Sequence, residues 1–308
     1  MKLLKGRIYP IMYHFIHDKS IIKNVRFNSL KIKEFSKQIS YLKKKTNIIG
    51  LDDLEDITIS KKNLNKPSTL LTFDDGYKDH YDIVLPILVK KKIKGIFFPP
   101  TDIFEDKILD VNKIHCILGA QYNSEFIIRI ITDYLSKKKI SIEQLIKKFN
   151  INLNSRFDDR QTILIKRLLQ FAIPHNIRSK LINFLFKKIV KQNINTVAKK
   201  IYMSENNVKE LINHNMEIGI QGQKHYWWNK IKIYEKKREI TISKKILEKK
   251  FAINCRSVCY PYGAYDDKVI EILKNKKIKF GFTTKPGHIN YPMNNLLINR
   301  YDCNDFKF

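Results

Sequence analysis

The chain has 308 residues, 43% of them hydrophobic, which allows one large domain or two ordinary ones and excludes a globally disordered polypeptide. Lys and Arg number 59 against 30 Asp and Glu, a net charge of +29, yet 49 of the cations are Lys and only 10 are Arg. Arg is the side chain of two-point phosphate and base contacts, so this balance argues for a solvated lysine surface and against a nucleic-acid partner.

From the N-terminus, charge and Pro10 interrupt the chain before an apolar run of signal-peptide length. No later window approaches the roughly 18 consecutive apolar residues of a membrane span. The cysteines, Cys116, Cys255, Cys259 and Cys303, form no disulfide framework or zinc-ligand pattern. The expectation is a cytoplasmic protein with free thiols.

Residues 8–15 (IYPIMYHF) read as the first strand. Residues 31–45 carry Ile32, Phe35, Ile39 and Leu42 at helical spacing. A buried strand over 69–73 (TLLTF) ends on two acids, and a helix over 81–92 contains Pro86, which predicts a kink. Residues 95–98 (GIFF) form the next strand.

From about 109 to 200 the pattern is helical throughout. Ile177, Leu181, Leu185 and Ile189 make one apolar face, ringed by Lys180, Lys187, Lys188 and Lys191. This stretch reads as a helical insertion packed on a main domain, with transient membrane-surface contact as the lesser reading. Strand and helix patterns then resume: a strand over 217–222, a helix over 234–249, a strand over 257–260, a helix over 267–274, and strands over 280–284 and 296–301. Such alternation predicts an α/β fold, either a barrel or an open parallel sheet.

Four segments carry chemistry. Thr72-Phe73-Asp74-Asp75-Gly76 places adjacent carboxylates at the end of an apolar strand. They fit either a capped turn or a pair dividing metal binding from general-base work. His225 follows the strand-like MEIGIQGQK and is flanked by Tyr226, Trp227 and Trp228, rings suited equally to a sugar face and to a core. Val258-Cys259-Tyr260-Pro261-Tyr262-Gly263 runs a strand into a Pro/Gly turn, and Ile298-Asn299-Arg300-Tyr301-Asp302 closes the chain's pattern.

In order and character these segments resemble the polysaccharide deacetylase family, the NodB-homology domain of carbohydrate esterase family 4. IMYH at 11–14, TFDDG at 72–76, EIG at 217–219, YPYG at 260–263 and the Arg300 strand match its successive motifs. The resemblance implies a distorted (β/α)7-type barrel with a helical insertion. Its divisions would be 1–108, the first part of the barrel, 109–200, the insertion, and 201–308, the second part.

It also implies a hydrolase that removes an N-acetyl or related N-acyl group from a sugar or glycan precursor. In that mechanism a divalent metal, usually zinc, polarises a water and the amide carbonyl. By motif position Asp75 and His225 would bind the metal, Asp74 would be the general base, and the backbone N–H of Tyr262 would stabilise the oxyanion. Tyr260, Pro261 and Trp227 would meet the substrate. The lysine surface would help the enzyme meet phosphorylated or lipid-linked sugars.

The chain departs from the pattern at the first metal histidine, four residues before the second, where it carries Gln221. A neutral amide is a weaker ligand than imidazole for zinc, and His14 is a candidate helper. Cys259 stands where many members have an Arg that orients the base, which leaves that task to Arg300. The alternative implied by Gln221 is a metal-free or inactive relative that hydrolyses another C–N bond or only binds a glycan.

Overall fold

The computed structural model describes residues 3–60, 64–120, 122–289 and 293–305. The chain forms two compact units, Met1–Lys19 with Asn28–Asp106 and Ile201–Phe308, and Ser20–Phe27 with Lys107–Lys200.

The first unit is α/β. Its strands are β1 (Ile8–Tyr13), β2 (Asn47–Ile48), β3 (Ser68–Asp74), β4 (Ile96–Phe98), β5 (Glu217–Ile218), β6 (Ser257–Cys259), β7 (Phe280–Phe282) and β8 (Tyr301–Asp302). Its helices begin with α1 (Ile32–Lys45), α2 (Leu51–Ser60) and α3 (Leu85–Lys91). The second unit contains α4 (Asp110–Gly119), α5 (Ser124–Ser136), α6 (Ile142–Phe149), α7 (Arg160–Arg167), α8 (His175–Leu185) and most of α9 (Ile194–Ile201). The first unit then adds α10 (Glu205–Asn213), α11 (Ile233–Phe251) and α12 (Asp267–Asn275).

One parallel sheet runs β5-β4-β3-β1-β8, with β2 beside β3, and β6 pairs with β7 in a second. Every residue of β1 and β3 is buried, as expected of parallel strands covered on both faces. Backbone bonds join the two sheets. Ile220 N donates to Ser257 O at 3.0 Å, and Cys259 N to Ile220 O at 2.9 Å. Beyond β7, Ile298 N donates to Gly281 O and Thr283 N to Ile298 O, and this segment runs on into β8, which pairs with β1. The ladder therefore returns to its start, a distorted barrel of β1, β3, β4, β5, β6, β7 and β8.

Several elements differ from expectation for local reasons. The strand expected over 217–222 changes partner midway: Gly219 N still bonds Phe97 O, but Ile220 bonds Ser257. At Gly219 a Cβ would lie 2.3 Å from the Phe98 ring and 2.4 Å from Ser257 Oγ, so only glycine permits this corner. The strand expected over 296–301 pairs as a ladder only at Tyr301–Asp302, because Leu296 N and Leu297 N are taken by a turn on Asn294. The helix expected over 81–92 is a π turn, His80–Val84, running into α3 with Pro86 in its first turn. The wider turn accommodates the ring and the missing N–H.

In the second unit, α8 continues into another π turn, Phe186–Val190. Leu181, Ile182, Leu185, Phe186, Ile189 and Val190 are buried, while Lys180, Lys187, Lys188 and Lys191 are exposed. Residues 20–27 belong to this unit, tied by Arg26 N to Gly119 O at 2.8 Å. No helix among the described residues is long and apolar enough to cross a membrane.

Candidate functional site

β3 carries Asp74 to the C-terminal end of the barrel strands, the end where such folds place their chemistry. Immediately beyond it Asp75 and Gly76 both take left-handed backbone, with φ of 72° and 66°. Gly76 suits this position by its φ, and a Cβ would also crowd Pro99 Cβ at 3.0 Å and make Ile103 Cδ1 shift from 2.6 Å. The sharp turn sends the two neighbouring carboxylates to different partners.

Asp74 meets Arg300. Nη1 donates to Oδ1 and Nη2 to Oδ2, each at 2.8 Å, and both residues are buried. Of its three remaining donors, Arg300 gives one to Thr283 O at 2.8 Å, one to Thr72 Oγ1 at 2.9 Å and one to Cys259 Sγ. The Cys259 thiol lies 3.2 Å from Asp74 Oδ2 and 3.1 Å from Arg300 Nη2. Burial alone pushes the Asp74 carboxyl up, but the guanidinium outweighs it and holds the group below the usual carboxylate range. Burial pushes the Cys259 thiol well up. His14 brings Nε2 to 3.8 Å from Asp74 Oδ2 on a side chain 41% exposed.

Asp75 is held on every side. Its N–H donates to Gln221 Oε1 at 2.8 Å and to Phe98 O at 3.1 Å. Its Oδ1 accepts from Gln221 Nε2 at 2.9 Å and lies 3.2 Å from His225 Nε2, while Oδ2 accepts the Tyr77 hydroxyl at 2.7 Å. Burial raises the carboxyl, and His225, His14 and Tyr77 reverse the effect, leaving it far below its ordinary value.

Gln221 and His225 sit at the two ends of one short loop. Gly222 and His225 have φ of 80° and 57°. Thr101 N donates to Gly222 O and Asp102 N to Gln223 O, at 3.0 and 3.1 Å. On the opposite edge, Gln223 N and Lys224 N both donate to Glu239 Oε2 at 3.0 Å.

The turn after β6 supplies an aromatic wall. Tyr262 takes φ 57°, stacks on Trp227 with centroids 4.8 Å apart, and meets the His225 ring edge-on at 4.6 Å. Tyr260 and Pro261, expected at the substrate, are both buried, and the Tyr260 hydroxyl donates to Leu296 O at 2.6 Å. The structure thus brings Asp74, Arg300 and Cys259 together, and Asp75, Gln221, His225, Tyr262 and Trp227. Among the other histidines, His17 pairs with Asp79, His80 Nε2 donates to His14 O, and His288 Nδ1 lies 3.3 Å from the Tyr301 hydroxyl.

The donors around Asp75 do not fit a divalent metal. Gln221 Oε1 accepts the Asp75 N–H and its Nε2 donates to the Asp75 carboxylate, which fixes the amide orientation and commits one lone pair of its oxygen to the backbone. Both Asp75 oxygens already accept hydrogen bonds. A metal-ligating imidazole normally donates its other N–H to an outer partner, but His225 Nδ1 is buried with no hydrogen-bond partner among the described residues. Nor do the described residues contain any group of three His, Cys, Asp or Glu able to hold a metal.

Glu239 escapes the sequence reading. It lies in the buried stripe of α11 with Ile240, Ser243 and Leu247, and an acid in such a stripe is the signal that marks it.

A family model described as polysaccharide deacetylase matches residues 61–115 and 156–281, more than half of the chain. Among solved structures, the chain is similar to the Streptococcus pyogenes deacetylase PplD in complex with acetate, at 16% identity and TM-score 0.60 over 97% of this chain and 93% of that one. IcaB from Ammonifex degensii gives 16% identity and TM-score 0.58 over 97% and 92% of the two chains. The BpsB deacetylase domain from Bordetella bronchiseptica gives 13% and 0.57 over 98% and 97%. At these identities the likeness is one of fold. No curated protein matches the chain in sequence.

Proposed function

The chain belongs to the polysaccharide deacetylase family, and from that premise we propose that it hydrolyses an N-acyl bond on a sugar or glycan precursor. The observation that carries this reading is the buried Asp74–Arg300 pair at the strand ends, which keeps one carboxylate ionised and aimed. The acetate in the complex of the structurally similar PplD fits the acid product of such a reaction.

In this reading Asp74 is the base. Arg300 and Cys259 leave Oδ1 with a lone pair to accept a proton from water as the water oxygen attacks the acyl carbon. The backbone N–H of Tyr262, on its left-handed turn, donates to the oxyanion. The C–N bond then breaks, and the departing amine takes the proton that Asp74 removed from water, relayed through His14, the part-exposed imidazole beside Asp74, so that both side chains return to their starting state. The products are a carboxylic acid and a free amino sugar. Trp227 stacked on Tyr262 offers the sugar an apolar face. With its pKa depressed, Asp74 stays ionised near neutrality and is a weak base, so its contribution falls toward the lower end of the usual general-base range of about 100- to 10,000-fold.

A second reading, glycan binding without turnover, is favoured by the closed hydrogen bonding of Asp75 by Gln221. Acetate release from a tetramer of N-acetylglucosamine separates the two. The hydrolase reading expects measurable release that falls at least about 100-fold in Asp74→Asn. Binding of the tetramer with no release, before or after addition of zinc, cobalt or nickel, supports the second.

A further inference from the structure

Glu239 projects from α11 and is 4% exposed. Its Oε2 accepts from two consecutive backbone N–H groups, Gln223 and Lys224, each at 3.0 Å. Successive N–H groups converging on one anionic oxygen form an anion nest, filled here by the chain's own carboxylate. The fit is close, for a Cβ on Gly222 would come within 2.7 Å of the same oxygen. The opposite edge of the loop is fixed by Thr101 N and Asp102 N. Between these two restraints run the residues that separate Gln221 from His225, and both of those reach Asp75.

We infer that Glu239 is a positioning residue for the site, its carboxylate clamping residues 222–224 so that Gln221 and His225 engage Asp75 together. No hydrogen bond joins it to Asp75 among the described residues, and it acts through the loop. Burial pushes the Glu239 carboxyl up to about 7, against the pull of the two N–H groups. Asp102, from the turn against α11, pushes the same way, and Lys224 opposes it. Lys236, one turn earlier on α11, is committed to Asp266 at the start of α12. The clamp therefore changes charge in the neutral range: ionised it binds both N–H groups, and protonated it holds them less firmly. Site geometry tightens as pH rises.

For its rate readout this inference rests on the hydrolase reading; its second readout does not. In the full-length chain labelled with nitrogen-15, the amide resonances of Gln223 and Lys224 should titrate together between pH 5 and 9 with a midpoint near 7. In Glu239→Gln that titration should vanish. In Glu239→Ala both amides should exchange with solvent at least about tenfold faster at equal pH. With the N-acetylglucosamine tetramer, kcat in Glu239→Ala should fall about 10- to 100-fold with KM little changed. Glu239→Gln should lose the rise of kcat through neutrality. If no tetramer is hydrolysed but the amides behave as stated, the hydrolase reading falls and the clamp stands. If the amides neither titrate together nor exchange faster in Glu239→Ala, the clamp is overturned, whatever the activity.

Discussion

Gln221 and Asp75 hold each other at two points: the amide oxygen accepts the Asp75 N–H at 2.8 Å, and the amide nitrogen donates to the Asp75 carboxylate at 2.9 Å. The arrangement gives the buried Asp75 carboxylate a hydrogen-bond donor where a cation would otherwise stand. The native chain is therefore expected to take up far less than stoichiometric zinc in equilibrium dialysis followed by emission spectrometry. Gln221→His removes both amide bonds and supplies a second imidazole near Asp75, so zinc uptake should rise. Stoichiometric zinc on the native chain would sink the hydrogen-bonded account of this site.

Arg300 and Asp74 form the other fixed contact. Removing one partner of a buried, fully hydrogen-bonded pair leaves a lone charge in the interior, which costs about 3–5 kcal/mol. Arg300→Met should lower stability by about that amount in urea unfolding. Adding Asp74→Asn should recover part of the loss, because the unpaired carboxylate is gone. An additive double variant would mean that the two side chains do not act as a unit.

Stability should peak in mildly acid solution. Asp74 and Asp75 have depressed pKa values in the fold, so their contribution is complete above the unfolded value of about 4 and is lost as pH falls below it. Glu239 works in the opposite sense. Its carboxyl moves from 4.5 to about 7, so stability falls between those two values as the unfolded chain ionises first, then levels off, at a cost of roughly 3 kcal/mol. Urea unfolding at pH 5 and pH 8 reads this directly. In Glu239→Gln the difference between the two pH values should shrink, and an unchanged difference would assign the effect elsewhere.

The fold was legible because its information is local and ordered. The apolar run of β3 ending in Asp74, the stripe of Phe35, Ile39 and Leu42, and the succession of motifs through Arg300 together define the barrel. Names of candidate site residues came with those motifs; their bonds did not. Which way the Gln221 amide faces depends on Asp75 sitting at φ 72°, a backbone fact that a string of letters hides. Glu239 passes for a surface charge because it stands among the lysines of α11, and only its place on the stripe of Ile240, Ser243 and Leu247 marks it. The membership of residues 20–27 in the helical unit is likewise a tertiary contact, resting on Arg26 N and Gly119 O.

Gly222 and Gly6 offer a controlled comparison of strain with crowding. Both have left-handed backbone, φ 80° and 77°, so alanine at either costs about 1 kcal/mol of conformational preference. At Gly6 a new Cβ meets nothing within 4 Å, whereas at Gly222 it stands 2.7 Å from Glu239 Oε2 and 3.2 Å from the Trp228 ring. Gly6→Ala should therefore lose only that conformational increment and leave the loop untouched. Gly222→Ala must also displace a carboxylate that two N–H groups hold, so it should lose about 2–4 kcal/mol in urea unfolding. It should also accelerate exchange of the Gln223 and Lys224 amides. Equal losses in the two variants would show that the crowding at Glu239 is relieved at no cost, and that the loop is not held as tightly as these contacts indicate.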